Sequence, residues 1–357
     1  MVSAELWPEL SVYFEFYFSG KHHEGIVTPR EGYLYLDKLP EKLNYFGLNR
    51  LFKIMDVKAG HFETNFGNWH LIRSDNADVQ RNPLVGNYII DANTVEPGVE
   101  LIFDLNSFYL VAGVSNGTTT GVFEPNRGTG IHGKLGLDIE DKLQLSASVY
   151  RVDHSGNPAL GCEKCQVSFP DIPGSPVEDP DEEISDGSFS SLFAGNRSGS
   201  RYAGVLGDGP DVGTLNVGRG QDVLAWHLDG QFRTGNLRLF GMGGAAYDSD
   251  INGSEDGEPE ENWYYYGGEI QYDLFDDLYL AARYNQARST QVAGQDMESV
   301  ATALQIGGGY WVWDNLLLKV EYVRQAYDDF LPLYNGIPAL IFNPEFYGVM
   351  AEVTVVF

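Results

Sequence analysis

The sequence predicts an all-β chain, a transmembrane antiparallel β-barrel of about 14 strands, or 16 if a long loop hides one more hairpin. Three observations predict it. Apolar residues recur at every second position through most of the chain. Connections are short at one end of the hairpins and long at the other. Aromatics make up 13% and glycines number 42, yet no apolar run is long enough for a membrane helix.

The last segment states the pattern most clearly. Tyr347, Val349, Ala351, Val353, Val355 and Phe357 share one face, and Gly348, Met350, Glu352, Thr354 and Val356 share the other. Successive strand side chains point to opposite faces, so one side is continuously apolar. Such an edge invites aggregation in water and makes sense where a strand closes a barrel in lipid.

Earlier hairpins read the same way. Val12, Phe14, Phe16 and Phe18 share a face of a strand over 11–18. Short strands follow at 32–37 and 52–62, and the spacing between them predicts a short helix over 40–51. Strands at 99–103 and 108–114 flank Asp104 to Ser107, and strands at 131–139 and 143–149 flank Glu140 to Lys142. In the second half, Leu224, Trp226, Leu228, Gly230 and Phe232 alternate with Ala225, His227, Asp229 and Gln231. Strands at 237–245, 264–272, 278–285, 304–312 and 316–322 continue the series. The links 64–96, 153–221, 248–261 and 326–345 are long. Short turns at one end and long loops at the other describe a single barrel domain over 1–357, with periplasmic turns and extracellular loops, the longest loop being about 153–221. Aromatics at 263–266, 310–313 and 346–347 are expected at the membrane–water boundaries.

Composition excludes some functions. The formal charge is −28, from 51 acidic and 23 basic residues, which is the wrong sign for binding a nucleic-acid backbone. Cations suit this balance, as does solvation in a saline medium. Residues 2–8 show neither a basic n-region nor an apolar h-region. An exported barrel is therefore expected to have lost its leader.

With the apolar face toward lipid, the other face lines the lumen. The residues expected there are Glu15, Lys58, Glu100, Lys134, Asp138, His227, Asp229, Arg238, Glu269, Arg283, Lys319 and Glu321. They carry both signs. A wide barrel leaves a hydrated channel lined by such groups, and opposed acids and bases can also hold an inward-folded loop or fill the lumen.

The terminal alternation with its final Phe resembles the C-terminal signature of bacterial outer-membrane barrels. That resemblance implies an assembly signal at Tyr347, Val353, Val355 and Phe357, read by the barrel assembly machinery. Val57-Lys58-Ala59-Gly60-His61-Phe62 with Asn65-Phe66-Gly67 resembles a segment of porins related to the phosphate-selective porins. Arg73 to Asn76 and Asn82 to Tyr88 resemble a loop of porin-like barrels of Bacteroidota-type bacteria. The matched segments cover about a tenth of the chain. Phosphate-selective porins carry a basic lumen, and this chain has no Lys/Arg ladder, so phosphate selectivity is not carried over.

Two loop motifs remain. Cys162 and Cys165, in the longest loop, read as a local disulfide, because no second CxxC or following His supports metal or haem attachment. Asp248, Asp250, Asn252 and Asp256 reproduce the start of a calcium loop, but Pro259 stands where its last ligand belongs. Calcium is therefore the one candidate cofactor, with a solvated acidic loop as the plain alternative. No nucleophile, metal or phosphate motif marks a catalytic site, so the chain is not expected to be an enzyme.

The expected function is passive diffusion of small hydrophilic solutes or ions through the bacterial outer membrane. The alternatives are a plugged structural barrel that binds a partner, and an outer-membrane enzyme such as a lipase. Expected partners are membrane lipid, the assembly machinery, the solutes, and further copies of the chain or an extracellular protein. Deleting Phe357 should slow or abolish membrane insertion, measured as heat-modifiable folded barrel in isolated outer membranes.

Overall fold

The computed structural model describes residues 2–7, 10–18, 27–69, 79–117, 129–153, 192–193, 222–249, 261–291, 298–329 and 345–355, apart from 41, 43, 91, 93, 94 and 141. Among the described residues fifteen strands, against about 14 expected, form one sheet in sequence order. They are β1 (Val2–Trp7), β2 (Leu10–Phe18), β3 (Val27–Leu36), β4 (Met55–Glu63), β5 (Val95–Leu105), β6 (Phe108–Ser115), β7 (Thr129–Ile139) and β8 (Leu143–Asp153). Then come β9 (Asp222–Thr234), β10 (Leu237–Ser249), β11 (Glu261–Phe275), β12 (Leu278–Gln291), β13 (Ser299–Trp313), β14 (Leu316–Asp328) and β15 (Glu345–Val355).

Each strand pairs antiparallel with its sequence neighbours, and among the described residues no ladder joins β15 to β1. In an antiparallel meander of 15, those two strands run in the same direction. The additional strand is β1, which pairs with β2 through Val2–Phe14 and Ala4–Val12. Its six residues are too short and mixed for a periodic signal to stand out.

The short helix expected over 40–51 forms as a 3-10 helix at Tyr45–Lys53, and it displaces the strand expected from Phe52, which begins at Met55. Asn49 fixes that helix. Its side chain accepts from Leu39 N at 2.8 Å and donates to Leu39 O at 3.0 Å, and its own N–H donates to Asn44 Oδ1 at 2.9 Å. These local bonds compete with extension of the strand. The hairpin turns after β5 and β9 use Asn106 (φ 67°) and Gly235 (φ 54°), residues that tolerate left-handed backbone.

The sheet is polarised opposite to a water-soluble protein. Ile131, Leu135, Val149, Leu228, Leu280, Ile306 and Val320 are exposed on its outer side. Glu100, Lys134, His227, Arg283, Lys319 and Glu321 are buried on the inner side. Such a surface is stable only where the outside is hydrocarbon. Strands β9 to β14, of 13–15 residues, exceed the roughly 9–11 that a tilted strand needs to cross.

Aromatics follow the boundaries only in part. Tyr264, Tyr266 and Tyr347 face out near the long-loop end, and Phe275, Tyr310 and Trp313 face out near the short-turn end. Trp263 and Tyr265 instead face in and are buried, because they occupy the inward positions of the same alternation. On β15, Tyr347, Val353 and Val355 face outward, and Phe357 lies outside the described residues. Thr354 points inward but is packed, donating to Glu352 at 3.1 Å, and does not meet water as the strand pattern alone implies.

Leu228 sits at the centre of β9 and is 53% exposed. Leu228→Arg should destabilise the folded barrel by about 2–4 kcal/mol, and Leu224→Arg, near the strand end, by about 1 kcal/mol or less. Urea unfolding in lipid vesicles measures both. Equal losses would overturn the outward assignment.

Candidate functional site

The segment between β4 and β5 folds into the barrel instead of over it. Phe66, Trp69, Leu84, Tyr88, Ile89 and Ile90 are all at most 2% exposed. An ordinary surface loop does not bury such residues. Two groups of inward strand side chains hold it.

The first group comes from a row fixed by sheet register. Lys134, Ser148, His227, Gly244 and Tyr265 are successive cross-strand partners from β7 to β11. Lys134 Nζ donates to Asn65 Oδ1 and Gly67 O, both at 2.8 Å, and to Asn68 Oδ1 at 2.6 Å. Gly67 N donates to Ser148 Oγ at 2.9 Å. Asn68 donates through both its main-chain N–H and its amide to Asp229, which also accepts from Ser146 at 2.6 Å. Trp69 stacks on His227 with ring centroids 3.8 Å apart and donates to Ile90 O at 2.9 Å. Gly244 has no side chain, and Tyr265 reaches across it to His227, hydroxyl to Nδ1 at 3.2 Å. Gly67 adopts φ 73°, and a Cβ there would collide with the Trp69 ring, so this loop position requires glycine.

The second group holds residues 79–89. Arg283 donates to Gly86 O at 2.8 Å and Asn82 Oδ1 at 2.6 Å, and pairs with Glu269 at 2.5 Å. Its guanidinium lies 4.1 Å from the Tyr88 ring centroid. Glu321 Oε2 accepts from Val85 N and Gly86 N, each at 2.9 Å, and Asn285 accepts from Ile89 N at 2.8 Å. Lys319 Nζ caps the carbonyls of Val79, Asn82 and Leu84 at 3.1–3.3 Å and pairs with Glu352 at 2.6 Å. Arg238 donates to Arg81 O at 3.3 Å and to Glu269 at 2.9 Å. Burial pushes the Tyr88 phenol well above its ordinary range, so it remains a neutral ring against Arg283.

A third row also meets the loop, Asn65 N donating to Glu100 Oε1 at 3.1 Å. Tyr35, Lys58, Glu100, Gly113 and His132 are successive partners from β3 to β7. His132 lies across Gly113 and places Nε2 2.8 Å from Glu100 Oε1. Lys58 Nζ stands 4.0 Å from Glu100 Oε2 on the other side. Glu15 is buried on β2, opposite Glu31 of β3. Asp138, near the short-turn end, accepts from Gln144 at 2.8 Å.

The twelve charged residues expected in the lumen thus occupy the inner face, but most of those on β7 to β14 are engaged in loop docking. The docking partners on the loop were not expected. Their one sequence signal is the apolar run from Leu84 to Ile90, out of place in a solvent loop. Asp250, Asn252, Asp256, Cys162 and Cys165 lie outside the described residues. Asp248 belongs to β10, with its backbone opposite Val223 and Glu261. Among the described residues no three His, Cys, Asp or Glu side chains are grouped to share a metal.

Neither a protein-family model nor a curated sequence matches the chain. Solved structures do. An anion-selective porin from Comamonas acidovorans aligns with a TM-score of 0.54 at 10% identity, covering 98% of this chain and 87% of that one. The fold is that of an outer-membrane porin. The outer membrane channel DcaP of Acinetobacter baumannii aligns with a TM-score of 0.52 at 12% identity, covering 98% and 82%. A loop-deletion form of OmpT, an outer membrane protein of Vibrio cholerae, gives 0.52 at 12%, covering 98% and 88%. With an apolar outer face on this porin fold, the chain is a protein of the bacterial outer membrane.

Lys134→Met should free the first loop anchor, leaving three acceptors and the buried Asp229 without their cation, at a cost of about 3 kcal/mol or more. Hydrogen exchange should rise over 64–69 while the amides of β9 to β14 stay protected. Unchanged exchange over 64–69 would show that Trp69 stacking alone suffices.

Proposed function

We propose that the chain is a channel for passive diffusion of small hydrophilic solutes or ions. The observation that carries this reading is the unequal lining of the barrel. The inward loop is bolted to β7 to β14, and the wall of β2 to β4 keeps half-buried Tyr13, Tyr33, Tyr35, Asp56 and Lys58. A wall of hydroxyls and charges left partly open is what a water-filled path needs. The porin and the channel among the structural neighbours agree with this reading. So does the local resemblance to porins related to the phosphate-selective porins, because Lys58 and Asn65 to Gly67, which carry it, sit at the wall and the first loop anchor.

We propose no catalytic role. Ser115 donates to Glu96, and His132 turns Nε2 to Glu100, so these neighbours do not form a serine–histidine pair. The plugged barrel is the second reading, favoured by the apolar packing of Phe66, Trp69, Tyr88 and Ile90 against Tyr265 and Phe240 in the interior. On the channel reading its partners are membrane lipid, the assembly machinery and the permeating solutes.

Planar-bilayer recording separates the two. In a chain with Cys162 and Cys165 changed to Ser, stable ohmic steps are expected. In that background a thiol reagent should block current through Tyr35→Cys, on the open wall, and leave Gln305→Cys, fully buried beneath the loop, unaffected. Absence of steps would favour the plugged barrel.

A further inference from the structure

We propose that the wall of β2 to β4 carries a hydrogen-bonding site for neutral, hydroxyl-rich solutes of the size of a simple sugar, with the phenol hydroxyls of Tyr13 and Tyr33 as its contact groups. The proposal rests on the channel reading above and adds the solute class.

Sheet register builds the site. Tyr13 of β2 pairs with Tyr33 of β3, and Ser11 pairs with Tyr35 at the next inward position. All four side chains are half-buried on the inward face. Neighbouring strands lie about 4.8 Å apart, and alternate residues of one strand lie about 7 Å apart. Four hydroxyl-bearing side chains therefore share a patch of wall comparable in extent to one sugar ring.

Packing decides which part of each ring meets the lumen. The Tyr13 and Tyr33 rings stack with centroids 5.0 Å apart and planes at 18°. On the β4 side, the Lys58 ammonium lies 4.5 Å from the Tyr33 centroid, and Phe62 meets that ring edge-on at 6.3 Å. Tyr35 meets Tyr13 edge-on, also at 6.3 Å. Neighbours thus cover the faces of Tyr33, and its phenol end is left for a solute. Rings fixed in this way lose little freedom when a solute binds.

The hydroxyls are not equivalent. That of Tyr35 donates to Asp56 Oδ2 at 2.5 Å. Those of Tyr13 and Tyr33 have no hydrogen-bond partner among the described residues. A phenol hydroxyl both donates and accepts, and the carboxylate beside them accepts. Such a cluster matches a solute with adjacent donors and acceptors, which a sugar has and a simple ion lacks. The nearest charges are already engaged, Lys58 by Glu100 at 4.0 Å and Asp56 by Tyr35. Exchanging water for solute hydroxyls gains little per bond, so binding is weak and the solute can leave again.

The test is ion current through single channels in planar bilayers, on barrels whose folding is checked by heat-modifiable migration. Glucose should lower the wild-type current saturably, beyond the effect of triethylene glycol at matched viscosity. Tyr13→Phe with Tyr33→Phe keeps the ring stack and removes both hydroxyls. It should raise the half-blocking glucose concentration about tenfold. Tyr284→Phe, altered on the outward face, should leave that concentration unchanged. Conducting barrels in which glucose acts no differently from the glycol, or in which the Phe pair is blocked as readily as wild type, overturn this proposal and leave the channel reading standing. Absence of conductance overturns both.

Discussion

The interior depends on one constraint, that a main chain buried inside a barrel must find hydrogen-bond partners there. The inward loop brings unpaired N–H and C=O groups into the lumen, and charged strand side chains receive them. Glu321 accepts two adjacent N–H groups, Lys319 donates to three carbonyls, and Lys134 and Asp229 grip Asn65 to Asn68 from opposite sides. Removing any one of these leaves at least one buried peptide group unsatisfied. That coupling is why ionic residues are tolerated at such depth.

Register turns this requirement into geometry. A period of two fixes which side chains face inward, and antiparallel pairing sets them in rows across neighbouring strands. Glycines then decide which neighbours touch. Gly113 lets the His132 ring span to Glu100, and Gly244 lets Tyr265 reach His227. The inner face is thus a set of polar rows with glycine gaps, and the loop fits the rows on β7 to β14.

Local alternation made much of the fold legible in the sequence. His227 and Asp229 read as inward because Leu228 and Trp226 read as outward, and nothing distant alters that relation. The loop's destination was not legible. Val85 and Glu321 are 236 positions apart, and no short-range pattern pairs them. The short helix expected over 40–51 is present as a 3-10 helix at Tyr45–Lys53, and its bounds were not legible because Asn49 holds it through bonds to Leu39 that periodicity does not register.

The strong acidity of the chain also takes on a different meaning once the interior is seen. Net charge alone locates nothing, and the obvious acidic runs lie in loops, where salt screens them. Inside the barrel the signs are nearly balanced along β7 to β14, because each base there anchors loop backbone or meets a carboxylate. Docking the loop against β7 to β14 therefore both narrows the lumen and consumes the positive charge of those strands, because Lys134, Arg283 and Lys319 are committed to loop backbone and to neighbouring carboxylates.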